Sequence, residues 1–196
     1  MTDQNKRVLL ITGASSGIGE ATARLAVEQG FRVALAARSQ DKLKNLVDDL
    51  GADHAFGVRC DVTSFDDQQG MIKKVIDHYG RIDALFANAG TGGEPGGFSG
   101  APVESWKTMV DVNILGVAYS LRASLADIKK ARGHVVLTGS VAGRRTLAGS
   151  MYSATKWAVS AIGYGLREEI KGSGVRVTLD FLATVPLEKY LVYLAG

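Results

Sequence analysis

Val8-Leu9-Leu10-Ile11-Thr12-Gly13-Ala14-Ser15-Ser16-Gly17-Ile18-Gly19 is an apolar run that stops in a glycine-spaced turn. Four consecutive aliphatic residues suit a strand buried on both faces. The Gly-x-x-x-Gly-x-Gly spacing that follows permits left-handed backbone and close approach to a ligand, and Gly17 opens a stretch of helical period reaching Gln29. Strand, glycine turn and helix start in succession present free N–H groups and a positive dipole end to an anion such as a pyrophosphate. The alternative for the triplet alone is a tight strand-to-helix turn. Its place after the first strand of an alternating chain favours the anion-binding reading.

The same alternation runs outward from this turn. Strands are expected at Val8–Thr12, Arg32–Ala37, Ala55–Cys60, Ile82–Ala87, His134–Thr138 and Val175–Leu179, with helices at Gly17–Gln29, Gln40–Leu50, Phe65–Tyr79, Val103–Lys130 and Tyr152–Lys171. Apolar strands separated by helices describe an α/β chain with a Rossmann-like, doubly wound parallel sheet of six or seven strands and helices on both faces. Ligands in such sheets bind at the carboxyl ends of the strands. Gly90-Thr-Gly-Gly-Glu-Pro-Gly-Gly-Phe-Ser-Gly100, the low-complexity stretch, falls where that crevice opens and is expected to be a mobile loop.

Composition narrows the function. With 196 residues, 46% hydrophobic, 22% charged, 24 glycines and 3 prolines, the chain is a globular domain able to build its own core, neither disordered nor collagen-like. Lys and Arg total 23 against 20 Asp and Glu, and the net charge of +3 is scattered, so nucleic acid is not expected as a partner. Apolar runs fall far short of the roughly 20 residues that cross a bilayer, and no secretory leader is evident. No membrane association and a cytoplasmic location are therefore expected. Cys60 is the one cysteine and His54, His78 and His134 are dispersed, so no metal site is expected.

Four places carry chemistry. Ala37-Arg38-Ser39 ends the second strand, where an acidic residue would accept bonds from a ribose 2′-hydroxyl; Arg38 suits a 2′-phosphate instead, so NADP(H) is favoured over NAD(H), the alternative being a solvated charge. Tyr152 and Lys156, four apart on one helix face, can act together, since a nearby ammonium favours the phenolate. Chance also produces such pairs. Ser140 ends the fifth strand, where its hydroxyl can donate to a substrate oxygen that gains charge. Asn113 is a polar residue in an apolar helix, either a structural bridge or the holder of a water chain to Lys156.

Together these motifs resemble the short-chain dehydrogenase/reductase family in its single-domain form, from about residue 7 to residue 180. The resemblance rests on Thr12–Gly19, Asp61-Val62, Asn88-Ala89-Gly90, Asn113, Ser140, and Tyr152 with Lys156, in the family's order. It implies a catalytic tetrad in which Tyr152 moves the proton on the substrate oxygen and Ser140 steadies that oxygen. Lys156 lowers the phenol's pKa and binds the nicotinamide ribose, while Asn113 holds a relay water. Tyr152 and Lys156 thus count as cofactor contacts too. It also implies cofactor binding by Gly13, Ser15, Ser16, Gly17, Ile18 and Gly19, adenine contacts from Asp61 and Val62, and support for the adenosine side from Asn88, Ala89 and Gly90. Arg38 is similar to NADP-using members. The substrate is then a small carbonyl or alcohol, and two long helices pair in a homodimer or homotetramer.

The resemblance also implies about 250 residues, with a Pro-Gly turn, a lid and a seventh strand after the sixth. Here Leu179-Asp-Phe-Leu-Ala-Thr-Val-Pro186 carries no Pro-Gly, and Tyr190–Leu194 is either a last strand or a helix. The lid and last strand of this one dinucleotide-binding domain, residues 1–196, are accordingly expected to be atypical or incomplete. A loop omitted from the sequence is favoured over a naturally shortened form. The expected function is an NADP-dependent oxidoreductase; the alternative is a catalytically inactive dinucleotide-binding regulatory or scaffold protein.

Overall fold

The computed structural model describes residues 6–180, so the Tyr190–Leu194 segment and the lid expectation lie outside the described residues. Six strands, β1 (Val8–Thr12), β2 (Arg32–Ala37), β3 (Ala55–Arg59), β4 (Ala84–Ala87), β5 (His134–Thr138) and β6 (Arg176–Asp180), form one parallel sheet in the order β3-β2-β1-β4-β5-β6. The doubly wound α/β architecture expected from the alternation is present. The strand order reverses between β1 and β4, where a crevice must open.

Alternate residues of each strand point to opposite faces, and each face is covered by different helices. Val8 and Leu10 join Met71 and Val75 of α3 (Phe65–Tyr79), Val117 and Leu121 of α6 (Gly116–Ala131) and Val159 of α7 (Met151–Glu169). Leu9 and Ile11 turn the other way, toward Ala23 and Ala26 of α1 (Gly17–Glu28) and Leu43 and Leu46 of α2 (Gln40–Leu50). All five residues of β1 are buried, which is why its sequence shows no polar alternation. Burial of each such aliphatic side chain contributes about 1.5–3 kcal/mol.

Three local differences from the sequence reading have physical causes. The ladder of β4 begins at Ala84, opposite Leu9, not at Ile82. Asp83 Oδ2 takes the Val8 N–H at 2.8 Å, so a side chain fills a place the backbone ladder would occupy. The helix expected over Val103–Lys130 is divided into α5 (Val103–Val110), a π-helix (Asp111–Leu115) and α6. That one wide turn contains Asn113, whose buried amide is drawn toward partners outside the helix. Within the glycine-rich stretch, Gly97–Gly100 forms one short helical turn, α4, with Phe98 set edge-on to Trp106 at 5.9 Å.

Candidate active site

The crevice at the carboxyl ends of the strands is a cleft of about 600 Å³. It runs from Arg38 and Asp61 beside β2 and β3 to Ser140, Tyr152 and Lys156 beside β5. Gly13, Ser16, Ile18, Val62, Asn88, Ala89 and Gly90 line the stretch between.

The turn after β1 is shaped by two glycines with different duties. Gly13 has φ +67°, and a Cβ there would stand 2.8 Å from the Ala89 Cα. Gly19 lies beneath the turn, where a Cβ would press to 2.7 Å from Asn88 Nδ2. Both keep the first helix hard against the loop after β4. Asn88 clips that contact: its Nδ2 donates to the carbonyls of Thr12 (3.0 Å) and Gly13 (3.3 Å). Thr12 Oγ1 in turn accepts from the backbone N–H groups of Asn88 (3.1 Å) and Ala89 (3.2 Å). Ser16 caps α1 with extended backbone but no side-chain hydrogen bond, whereas Ser64 and Ser150 cap α3 and α7 through theirs. The first-turn amides of α1 therefore face the cleft without a serine across them.

At the end of the cleft beside β2 and β3, burial works to raise the Asp61 carboxyl's pKa, but the Thr63 N–H and hydroxyl, with Arg38 and Arg59 nearby, hold it below its usual value. The carboxylate is an acceptor near neutral pH. Arg38 is exposed and stands in the same part of the cleft, with no carboxylate bonded to it among the described residues.

At the other end, Lys156 is only 5% exposed. Its Nζ donates to the Thr138 carbonyl at 2.8 Å and lies 5.6 Å from the centre of the Tyr152 ring. Burial pushes the amine down to about 8. Ser140 caps a 3₁₀ turn (Val141–Gly143), its Oγ accepting from the Ala142 N–H at 3.1 Å. With an acceptor site engaged, the hydroxyl proton is left to donate. Ser153 fastens this turn to α7, its Oγ donating to the Ala142 carbonyl at 2.5 Å.

Asn113 is fully enclosed and does not line the cleft. Its Oδ1 accepts from Thr91 N (2.8 Å), and its Nδ2 donates to Thr91 O (2.9 Å) and Thr155 Oγ1 (3.1 Å). Thr155 donates its own proton to the Tyr152 carbonyl at 2.8 Å, so the amide ties the loop after β4 to the helix bearing Tyr152 and Lys156. The side chain thus bridges the loop and the helix. Ser15 and Gly17 belong to the turn without lining the cleft.

Thr138 and Thr155 were not singled out by the sequence, and Thr12 entered only as the first residue of the glycine motif. As strand-end or helical threonines they carry no distinctive spacing, and their partners are remote in the chain. The one available signal was position, since Thr12 and Thr138 both end strands at the crevice.

Comparisons with known proteins agree with this geometry. The family model described as short chain dehydrogenase matches residues 7–183. An uncharacterised oxidoreductase of Staphylococcus haemolyticus is 42% identical over 180 residues, covering 91% of this chain and 78% of that protein. A metagenomic short-chain oxidoreductase in complex with NADP superposes with a TM-score of 0.88 at 30% identity, over 99% of this chain and 90% of its own. A short-chain dehydrogenase/reductase from Burkholderia phymatum in complex with NAD gives 0.83 at 31% identity, over 91% and 66%. No helix among the described residues is long and apolar enough to cross a membrane. The chain belongs to the short-chain dehydrogenase/reductase family and is an oxidoreductase that moves a hydride between a nicotinamide dinucleotide and a carbonyl or alcohol.

Proposed function

We propose that the dinucleotide is NADP(H) and that Asn113, Ser140, Tyr152 and Lys156 form the catalytic centre acting on a small carbonyl or alcohol. The observation that carries this reading is the buried Lys156 ammonium. It sits beside the Tyr152 ring at the end of a cleft whose other end holds Arg38. The residues fit the cofactor: glycines admit close approach of its pyrophosphate, α1 offers N–H donors, and Arg38 supplies positive charge for a 2′-phosphate. Ser15, Ser16, Gly17 and Ile18 belong to that turn. Asp61, Val62, Asn88, Ala89 and Gly90 would hold the adenosine side.

When bound, the nicotinamide supplies or accepts the hydride. The chain's own residues handle the proton. Ser140 Oγ–H donates to the substrate oxygen as charge grows on it, and Tyr152 delivers the proton from its hydroxyl in reduction or takes it up as the phenolate in oxidation. Lys156, mostly protonated near neutral pH, stabilises the phenolate through space and can donate to a ribose hydroxyl. Asn113 fixes the distance between the Thr91 loop and α7.

Assembly as a homodimer or homotetramer fits the exposed Trp157 and Tyr164, two turns apart on one face of α7. Catalysis in the cytoplasm fits a chain whose single cysteine is a buried free thiol. A non-catalytic scaffold role has less support, because such a role requires none of the Asn113, Ser140 and Lys156 bonds.

Tyr152→Phe tests the reading directly. It is expected to bind NADPH as the wild type does while turnover on an accepted carbonyl falls about 10²–10⁴-fold. Unchanged turnover removes the assignment. Titration with NADPH and NADH tests Arg38: tighter binding of NADPH supports its role, and equal affinity removes it.

A further inference from the structure

We infer that Gln68 is a positioning residue for the adenosine half of the cofactor, gripping the Asp61-Val62 loop and the end of the π-helix with one amide. Gln68 is a polar side chain on α3 with no exposed surface. Its Nε2 donates to the carbonyls of Val62 (2.8 Å) and Gly116 (2.9 Å), and its Oε1 accepts from Ser120 Oγ (2.7 Å). The orientation is forced, because a turned amide would point its oxygen at two carbonyls.

The two gripped carbonyls belong to different elements, the loop after β3 and the start of α6. Val62 lines the cleft at the adenosine end. Gly116 begins α6 where the π-helix ends, and its N–H bonds to the Asp111 carbonyl five residues back. The loop and the helix also touch directly, since a Cβ on Gly116 would lie 3.0 Å from Val62 Cγ2. The loop is held from its other side by Asp67 Oδ2, which accepts from Asp61 N at 3.0 Å. An apolar residue at position 68 would serve packing between α3 and α6 equally well. The amide adds a fixed height for the Val62 carbonyl, and thereby for the wall against which an adenine would lie.

The inference rests on the dinucleotide reading, and the test separates the two. Binding of NADPH, of 2′,5′-ADP (the adenosine half) and of reduced nicotinamide mononucleotide (the other half) is measured for the wild type, Gln68→Met and Ser120→Ala. Gln68→Met fills the same volume but removes the amide donor from the Val62 carbonyl, while the Gly116 carbonyl keeps the Ser120 hydroxyl at 2.8 Å. It is expected to weaken NADPH and 2′,5′-ADP by a common factor of about ten while the mononucleotide binds as before. A merely structural role would not produce that split between halves. Equal weakening of both halves, or unchanged binding of all three, overturns the inference and leaves the dinucleotide reading standing. Wild-type protein that binds neither NADPH nor 2′,5′-ADP overturns both. Should Gln68→Met fail to fold, Ser120→Ala decides. It keeps both Nε2 donors and is expected to show the same split at about threefold, and absence of the split overturns the inference.

Discussion

Two charged side chains are buried at opposite ends of the sheet, and they are treated in opposite ways. Asp83, at the amino end of β4, accepts from the Val8 N–H and from two guanidinium nitrogens of Arg81, at 2.9 and 2.5 Å. Its backbone carbonyl also accepts from His134 N at 2.9 Å, so one residue ties together the starts of β1, β4 and β5. Lys156, reaching the carboxyl end of β5, has a single hydrogen bond among the described residues, to the neutral Thr138 carbonyl. A charge with its partners supplied is part of the architecture. A charge with one neutral partner keeps the cost of its burial, which lowers its pKa.

The contrast can be broken most forcefully at Lys156. Lys156→Met is expected to lower turnover about 10³-fold while the thermal midpoint at pH 7 holds or rises, because a poorly compensated buried ammonium is removed. A large fall in the midpoint would show that the ammonium is better satisfied than its contacts indicate.

The mirror-image change is Asp83→Ala. It orphans the buried Val8 N–H and is expected to reduce unfolding free energy by about 3 kcal/mol in denaturant titrations, with NADPH affinity of the folded fraction unchanged. A neutral result would place Asp83 among ordinary surface charges.

At neutral pH the remaining effect is silent, and it sharpens the comparison only as pH rises. The folded-state pKa of Lys156, about 8, lies below the ordinary 10.5, so the unfolded chain binds more protons between these values. Stability contributed at this site therefore rises as pH climbs from 8 toward 10.5, by up to about 3 kcal/mol. Subtracting the Lys156→Met profile isolates the rise, and parallel profiles would refute it.

Asp83 and Lys156 also show how legibility varied. Lys156 was visible because a tyrosine four residues earlier made a pattern on one helix face. Asp83, in Arg81-Ile-Asp83, looks like a solvated charge pair, because its decisive partner, the Val8 N–H, is 75 residues away. The sheet itself was readable from aliphatic runs such as Val8–Ile11, whose burial on both faces leaves a direct trace in composition. The π-helix left none. The one-residue shift in phase is masked where apolar residues are as dense as in Val112-Asn113-Ile114-Leu115-Gly116-Val117, and only the misplaced polarity of Asn113 marked it. Gln68 was hidden in a different way: a glutamine in Asp66-Asp67-Gln68-Gln69 reads as solvent-facing, yet it is enclosed while Gln69 is exposed.

The wide turn at Asp111–Leu115 also limits how this chain can vary in length. Loss of one residue there would let the turn tighten to the ordinary α pitch, and everything downstream on α6 would swing about 100° around the axis. Val117 and Leu121 would leave the hydrophobic interior, and Ser120 would swing away from Gln68. A deletion that hardly shortens the protein would thus reassign the faces of a sixteen-residue helix.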